Sequence, residues 1–81
     1  MPDDLETVLG QVIREFRHRR GLSQESLSFS TGRHRTYVSL IERGRNSPSI
    51  RTLWMLAEAL DVKPSDIVLR VEEMQAAGQK R

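Results

Sequence analysis

Apolar residues near the start of the chain recur every three or four positions, a spacing that places them on one side of an α-helix. This stripe consists of Leu5, Val8, Leu9, Val12, Ile13 and Phe16. Asp3 is the expected N-cap, with Glu6 three residues later as its capping-box partner. Gly21 can adopt the left-handed conformation that ends many helices. These features predict a first helix from about Asp4 to Arg20.

Caps and breaks divide the rest of the chain into four more helices. Ser23 and Ser49 are expected N-caps, Gly32 and Gly44 are expected stops, and Pro64 suits the first turn of the last helix. The predicted ranges are about Gln24 to Ser30, Arg35 to Arg43, Ile50 to Leu60, and Pro64 to an end between Arg70 and Ala77. We therefore expect an all-α, compact five-helix bundle, with one domain over residues 1–77 and a frayed tail over 78–81.

Composition narrows the class of protein. The chain has 81 residues, 37% apolar and 30% charged, which suits one soluble globular domain. It contains no run of 18 apolar residues and no signal-peptide pattern, so we expect a cytoplasmic protein without a membrane span. The absence of cysteine excludes disulfides and cysteine-based zinc sites.

The positive charge is concentrated in the middle of the chain. Residues 14–51 contain nine arginines, no lysine and three acids, a formal charge of +6, although the whole chain carries only +2. A basic segment between acidic ends is typical of a site for a polyanion. A solvated basic face is the alternative that charge alone leaves open.

The second and third predicted helices, joined by a turn that contains Gly32, form a helix-turn-helix pattern. The segments GLSQE (21–25), YVSLIERG (37–44) and PSI (48–50) resemble the lambda-repressor/Cro-like family. The resemblance runs from about Leu9 to Val68. Within it, RTYVS (35–39), IER (41–43) and RN (45–46) resemble the controller proteins of restriction–modification systems.

This resemblance implies a DNA-binding regulator whose third helix lies in the major groove. Arg35 can pair with guanine through two hydrogen bonds. For Tyr37, a half-buried structural role is the alternative to a DNA contact. Arg33 stands where relatives are often apolar, and we expect it to reach a phosphate. The expected DNA-binding residues are Gln24, Arg33, His34, Arg35, Thr36, Tyr37, Ser39, Arg43, Arg45 and Asn46.

One arginine has a different expected role. The resemblance implies a buried ion pair between Arg17 and Glu42 that ties the first helix to the third. The alternative is an exposed pair, which would contribute little to stability.

A second copy of the chain is an expected partner, because one helix-turn-helix reads few base pairs. The fifth helix is the predicted dimer interface, through Ile67, Val68, Val71 and Met74. In the alternative arrangement, Ile67 and Val68 complete the core, while Val71 and Met74 face solvent.

The sequence favours a homodimeric regulator that binds a two-fold symmetric operator in double-stranded DNA. The alternatives are an antitoxin that also binds DNA and a protein-interaction module that does not. An enzyme fits poorly, because His18 and His34 are isolated from any catalytic or metal-binding pattern. We expect no cofactor, no metal and no small-molecule ligand. Glu25 or its neighbours could contact RNA polymerase.

Overall fold

The computed structural model describes residues 4–79, and within them it contains five α-helices and no strand. The helices are α1 (Leu5–Arg20), α2 (Gln24–Ser30), α3 (Tyr37–Glu42), α4 (Ile50–Leu60) and α5 (Pro64–Gln79). The predicted all-α five-helix architecture is confirmed. Among residues 4–79, none of the helices combines the length and the hydrophobicity that a membrane span requires.

The first helix is capped by Asp4 and not by Asp3, so the predicted cap is wrong by one residue. Asp4 has an extended backbone, and its carboxylate accepts a hydrogen bond from the Thr7 amide at 2.7 Å. This bond satisfies an amide that would otherwise lack a partner in the first turn. Asp3 lies outside the described residues. The helix ends as predicted, at Gly21 with φ 74°.

The third helix is shorter than predicted. It begins at Tyr37, because residues 33–36 form a turn that is closed by a bond from the Tyr37 amide to the His34 carbonyl. The Ser28 hydroxyl then accepts from the Val38 amide at 2.9 Å, which satisfies a backbone donor at the helix start. The helix ends at Glu42, one residue before the predicted Arg43. Arg35 and Thr36 therefore lie in the turn, immediately before the helix.

The last two helices follow the predicted starts. The Ser49 hydroxyl accepts from the Thr52 amide at the beginning of α4, and α5 begins at Pro64. α5 extends beyond the expected limit at Ala77, so Gly78 and Gln79 continue the helix. Residues 80 and 81 of the expected frayed tail lie outside the described residues.

All five helices contribute apolar side chains to one core. Its buried members are Val8, Val12, Ile13, Phe16, Leu27, Val38, Ile41, Leu53, Leu56, Ala57, Leu60, Ile67 and Val71. Ile67 and Val71 were expected to face a second copy of the chain, but they are buried in the monomer. These residues pack α5 against α1 and α4. A chain this short needs them to complete its hydrophobic core.

Gly10 allows α1 and α3 to approach closely. A Cβ atom at this position would collide with the backbone carbonyl oxygens of Ile41 and Glu42. Nothing in the sequence pattern singles out this residue, since it lies in the middle of an otherwise regular helix. The close approach matters for the site because it fixes the end of α3 against α1.

An ion pair also joins the first helix to the last. The Arg70 guanidinium donates to both carboxylate oxygens of Glu15, at 2.9 and 3.3 Å. These hydrogen bonds lower the pKa of Glu15 below its ordinary value and raise that of Arg70. Both side chains are about one-third exposed, so solvent screens the attraction.

Candidate nucleic-acid interface

The turn before α3 presents a polar surface to solvent. His34, Arg35 and Thr36 are exposed, and Tyr37 and Ser39 on the first turn of α3 are half-buried. The His34 ring nitrogen Nδ1 lies 3.0 Å from the Thr36 hydroxyl. These five expected DNA-binding residues therefore lie at the beginning of α3 or just before it.

Arg35 is paired with an acid on the neighbouring helix. Its Nε atom lies 3.2 Å from a carboxylate oxygen of Glu25, and the side chains are 66% and 50% exposed. A pair this exposed contributes little to stability and can separate at low cost. The guanidinium is thus accessible, with its charge partly compensated by Glu25.

Arg33 contacts two side chains on either side of the turn. Its guanidinium lies over the Tyr37 ring, 5.2 Å from the ring centroid. Its Nη2 atom donates to the Thr52 hydroxyl at 3.2 Å. Arg33 is exposed, as its polar character predicts, but its guanidinium is directed at Tyr37 and α4.

Arg17 and Glu42 form an ion pair that is almost completely shielded from water. Two hydrogen bonds, 2.6 and 3.1 Å long, join the guanidinium to the carboxylate. The side chains are only 11% and 4% exposed. Arg17 also donates to the Leu22 carbonyl at 2.9 Å. The pair therefore fixes α3 to α1 and to the loop that precedes α2.

Gln24 belongs to the same network. Its side-chain amide nitrogen donates to the Glu42 carboxylate at 2.9 Å. An amide nitrogen carries two hydrogens, and this bond uses one of them. Gln24 was expected only as a DNA-binding residue. Its bond to Glu42 was not expected, because no pattern of spacing relates residues 24 and 42.

Comparison with known protein families matches the helix-turn-helix model to residues 13–67. The control protein C.BamHI of Bacillus amyloliquefaciens is 36% identical over 69 residues, which cover 84% of this chain and 85% of that protein. The crystal structure of the restriction–modification controller protein C.AhdI of Aeromonas hydrophila is 42% identical, with a TM-score of 0.72, over 76% of this chain and 90% of that one.

The chain belongs to the helix-turn-helix family. A further solved structure, the tetramer of the controller protein C.Esp1396I in complex with its natural 35 base-pair operator, has a TM-score of 0.79. That match is 26% identical and covers 91% of this chain and 97% of that one. In the present helix-turn-helix, α2 and α3 are the two paired helices.

The far end of the helix-turn-helix carries the remaining predicted polar residues. Arg43 and Arg45 are exposed, and Asn46 is half-buried. The backbone amide of Arg45 donates to the Leu40 carbonyl at 2.9 Å, which holds the beginning of the loop against α3. These residues thus lie at the opposite end of α3 from Arg35.

A groove outside the helix-turn-helix, between α4 and α5, exposes large apolar side chains. We call it the α4–α5 groove; the exposed large apolar residues in its lining are Ile50, Trp54, Val68 and Leu69. Of the four residues predicted for the dimer interface, Ile67 and Val71 are buried and Met74 packs partly on the core. Of these four predicted residues, only Val68 is exposed. The monomer core thus takes up most of the predicted interface residues, and the location of the dimer interface stays a prediction.

The two histidines have ordinary local partners in this helix-turn-helix protein. His18 lies beside the Arg17 guanidinium, and His34 beside Thr36. Between residues 4 and 79, no three side chains of His, Asp or Glu are grouped so that they could hold a metal ion.

Proposed function

We propose that this protein is a transcriptional regulator that binds a specific sequence in double-stranded DNA as a homodimer. The observation that carries the proposal is the exposed polar surface at the beginning of α3. Family membership supports it, as does the similarity to the control protein C.BamHI. The C.Esp1396I tetramer was solved in complex with its operator, and we extend DNA binding to this chain by similarity.

Base recognition would come from the beginning of α3 in the major groove. Arg35 is the main candidate, because a guanidinium can form two hydrogen bonds with guanine. Its present partner, Glu25, is half-exposed and would release it to the base. Thr36, Tyr37 and Ser39 lie next to Arg35 and would contact neighbouring bases or sugars.

Phosphate contacts would position α3 without reading sequence. Gln24 lies at the beginning of α2. One of the two hydrogens of its side-chain amide is donated to Glu42, and the other would be donated to a phosphate. Arg43, Arg45 and Asn46 follow Glu42 at the same end of α3, so these contacts would hold the end of the helix that lies away from Arg35. His34 would add a contact in the turn.

The second copy would dock on the α4–α5 groove. Ile50, Trp54, Val68 and Leu69 are between 47% and 71% exposed, an unusual amount of apolar surface for a chain of this size. Tryptophan is among the side chains that contribute most at protein interfaces. A two-fold dimer would place two copies of α3 about 34 Å apart, in successive major grooves.

Among regulators, we propose a controller of a restriction–modification system. C.AhdI is a restriction–modification controller protein and C.BamHI a control protein, and this chain matches each of them over most of its length. These relatives favour a regulator over an antitoxin. They come from bacteria, where DNA lies in the cytoplasm, and we propose that location here. A contact between Glu25 and RNA polymerase stays a prediction. We assign the protein no catalytic role.

Selection of bound sequences from a random duplex library tests the proposal. We expect one enriched sequence with two-fold symmetry. The logarithm of the binding constant should fall with the logarithm of salt concentration, by about 0.9 per phosphate neutralised. No binding to any duplex, or binding that is independent of salt, would contradict the proposal.

The same selection separates the roles of two residues. Arg35→Ala should relax preference at one base position by about 1–3 kcal/mol. Gln24→Ala should weaken binding to all sequences alike. If both variants produce the same altered preference, the assigned division between reading and positioning is incorrect.

A further inference from the structure

Arg33 bridges two elements of the proposed DNA-binding surface. It follows Gly32 in the turn between α2 and α3, and its backbone amide donates to the Ser28 carbonyl at 3.2 Å. The same Ser28 accepts the Val38 amide through its hydroxyl. The backbone on both sides of the turn is thus fixed to α2, and the Arg33 side chain spans the gap between α3 and α4.

The anchor of this side chain on α4 is rigid. Thr52, whose hydroxyl accepts from Arg33, is 2% exposed and lies in the first turn of α4. Its hydroxyl is also 3.1 Å from the hydroxyl of the N-cap Ser49, which donates to it. A buried hydroxyl held in this way has a fixed position. Arg33 therefore connects to a defined point on the scaffold.

The other contact of Arg33 is with the first residue of α3. Its guanidinium lies 5.2 Å from the centroid of the Tyr37 ring, within the range in which a cation is attracted to an aromatic face. Among residues 4–79 the structure shows no ion pair between Arg33 and an acid, in contrast to Arg35 and Glu25. The charge of Arg33 is therefore directed at the ring without an acidic competitor.

We infer that Arg33 is a positioning residue: its guanidinium, anchored on Thr52 of α4, holds the Tyr37 ring in one orientation before DNA binds. This inference rests on the proposed function. It replaces the phosphate contact expected from the sequence, because a guanidinium that moved to a phosphate would lose both Thr52 and Tyr37. A side chain fixed in advance loses less conformational freedom on binding and discriminates better between sequences.

The test uses variants that remove each end of the bridge. Arg33→Ala removes the cation, and Thr52→Val removes the acceptor while leaving every charge in place. Arg14→Ala, on an exposed arginine of α1, is the matched control for the loss of one charge. Thr52→Ser restores the hydroxyl, and Tyr37→Leu identifies the operator positions whose preference depends on the ring. Thermal unfolding establishes that each variant is folded.

We expect Arg33→Ala and Thr52→Val to weaken the discrimination between bases by about two- to five-fold. This loss should occur at the operator positions that Tyr37→Leu identifies. Thr52→Ser should behave as the parent protein. The salt dependence of Arg33→Ala should match that of Arg14→Ala. The inference is overturned if Arg33→Ala weakens binding to all DNA sequences equally and also reduces the slope of the logarithm of the binding constant against the logarithm of salt concentration by about 0.9 more than Arg14→Ala does. It is equally overturned if Tyr37→Leu changes no base preference.

A second measurement needs no DNA. Tyr37 is the only tyrosine, so its ring resonances in a proton NMR spectrum can be assigned directly. They should shift in Arg33→Ala and in Thr52→Val, but not in Thr52→Ser or Arg14→Ala. Unchanged resonances would overturn the positioning role even if the protein binds DNA. If the parent protein binds no duplex, the proposed function is contradicted. The Tyr37 resonances would still show whether Arg33, held by Thr52, fixes the ring.

Discussion

Arg17 and Glu42 are charged side chains enclosed by a helical core, and each is stable there only because the other is present. Removing a charge from water is costly, and the four hydrogen bonds from Arg17 and Gln24 in this network offset that cost. The pair holds the end of α3 while Arg35, at its beginning, remains exposed. A rigid end and an accessible beginning suit a helix that must present one face to DNA.

Arg17→Ala should therefore reduce the free energy of unfolding by about 3–5 kcal/mol, because Glu42 stays buried without its partner. Urea unfolding at neutral pH measures the change. The matched control is Glu25→Ala, which breaks the exposed pair with Arg35 and should cost at most about 1 kcal/mol. Equal losses in the two variants would mean that burial does not govern the strength of the Arg17–Glu42 pair.

At this scale the sequence predicts some contacts and not others, for a physical reason. The Arg17–Glu42 pair was expected from a family resemblance, and the structure contains it. The bond between Arg33 and Thr52 was not expected, because an exposed arginine can reach many acceptors and only the packing of α4 selects one. Arg35 was expected to pair with guanine, but its pairing with Glu25 in the protein alone depends on the angle between α2 and α3.

At the scale of elements, caps and breaks predicted four helix starts to within one residue, but not that of α3. The serines and Pro64 act locally, so their effect is visible in the sequence. α3 begins at Tyr37 because Ser28, ten residues earlier, accepts the Val38 amide. A contact between two elements decides this boundary. The helix propensities of the residues within α3 alone therefore do not predict where this helix begins.

The approach of α1 to α3 gives a prediction for Gly10. Gly10→Ala should destabilise the protein by about 1–3 kcal/mol, because the new methyl group meets the backbone carbonyls of Ile41 and Glu42, which cannot move aside cheaply. Thermal unfolding measures this effect. Gly78→Ala is the control, since a Cβ atom there meets nothing within 4 Å. If Gly10→Ala is as stable as the parent, α1 and α3 are not in close contact.

The link between α1 and α5 gives a pH dependence. The pKa of Glu15 is lowered in the folded protein by its hydrogen bonds with Arg70. The pair therefore stabilises the fold at pH values above the ordinary carboxylate pKa of 4.5, and this contribution is lost as the pH falls through the lower, folded value. Because the pair is partly exposed, solvent screens the attraction and the contribution should be small.

Comparison of Glu15→Gln with the parent isolates this contribution. The difference in unfolding free energy should be constant from about pH 6 to 8 and should shrink below the ordinary carboxylate pKa. Glu73→Gln is the control, because Glu73 pairs with Arg70 only within α5 and joins no second helix. A difference that grows on acidification would contradict the assigned direction of the Glu15 shift.

At the scale of the whole molecule, α4 connects the two proposed surfaces. Thr52 in its first turn contacts Arg33 beside the DNA-binding surface, while Ile50 and Trp54 of the same helix line the α4–α5 groove. A second copy docked on the groove would thus fix the separation of the two α3 helices through one rigid element. The sequence predicted a dimer through Ile67, Val68, Val71 and Met74, of which only Val68 lines the groove, because the helical pattern does not show which apolar face the core uses.

The position of Trp54 makes the dimer proposal testable with one variant. Trp54→Ala removes the largest exposed apolar side chain of the groove, and a central interface residue of this type contributes about 2 kcal/mol or more. Dimerisation should therefore weaken by about 30-fold or more. At micromolar concentration the parent should sediment as a dimer and the variant as the 9.3 kDa monomer. The variant should also lose tight binding to an operator with two half-sites, while retaining weak binding to one.

The matched control for this variant is Phe29→Ala, because Phe29 is an aromatic residue of similar exposure on α2, outside the groove. Trp54 is the only tryptophan, so its fluorescence emission in the parent should shift towards longer wavelengths when dilution separates the dimer. A parent that is monomeric in the presence of its selected operator, or equal weakening by Phe29→Ala, would place the contact between copies elsewhere.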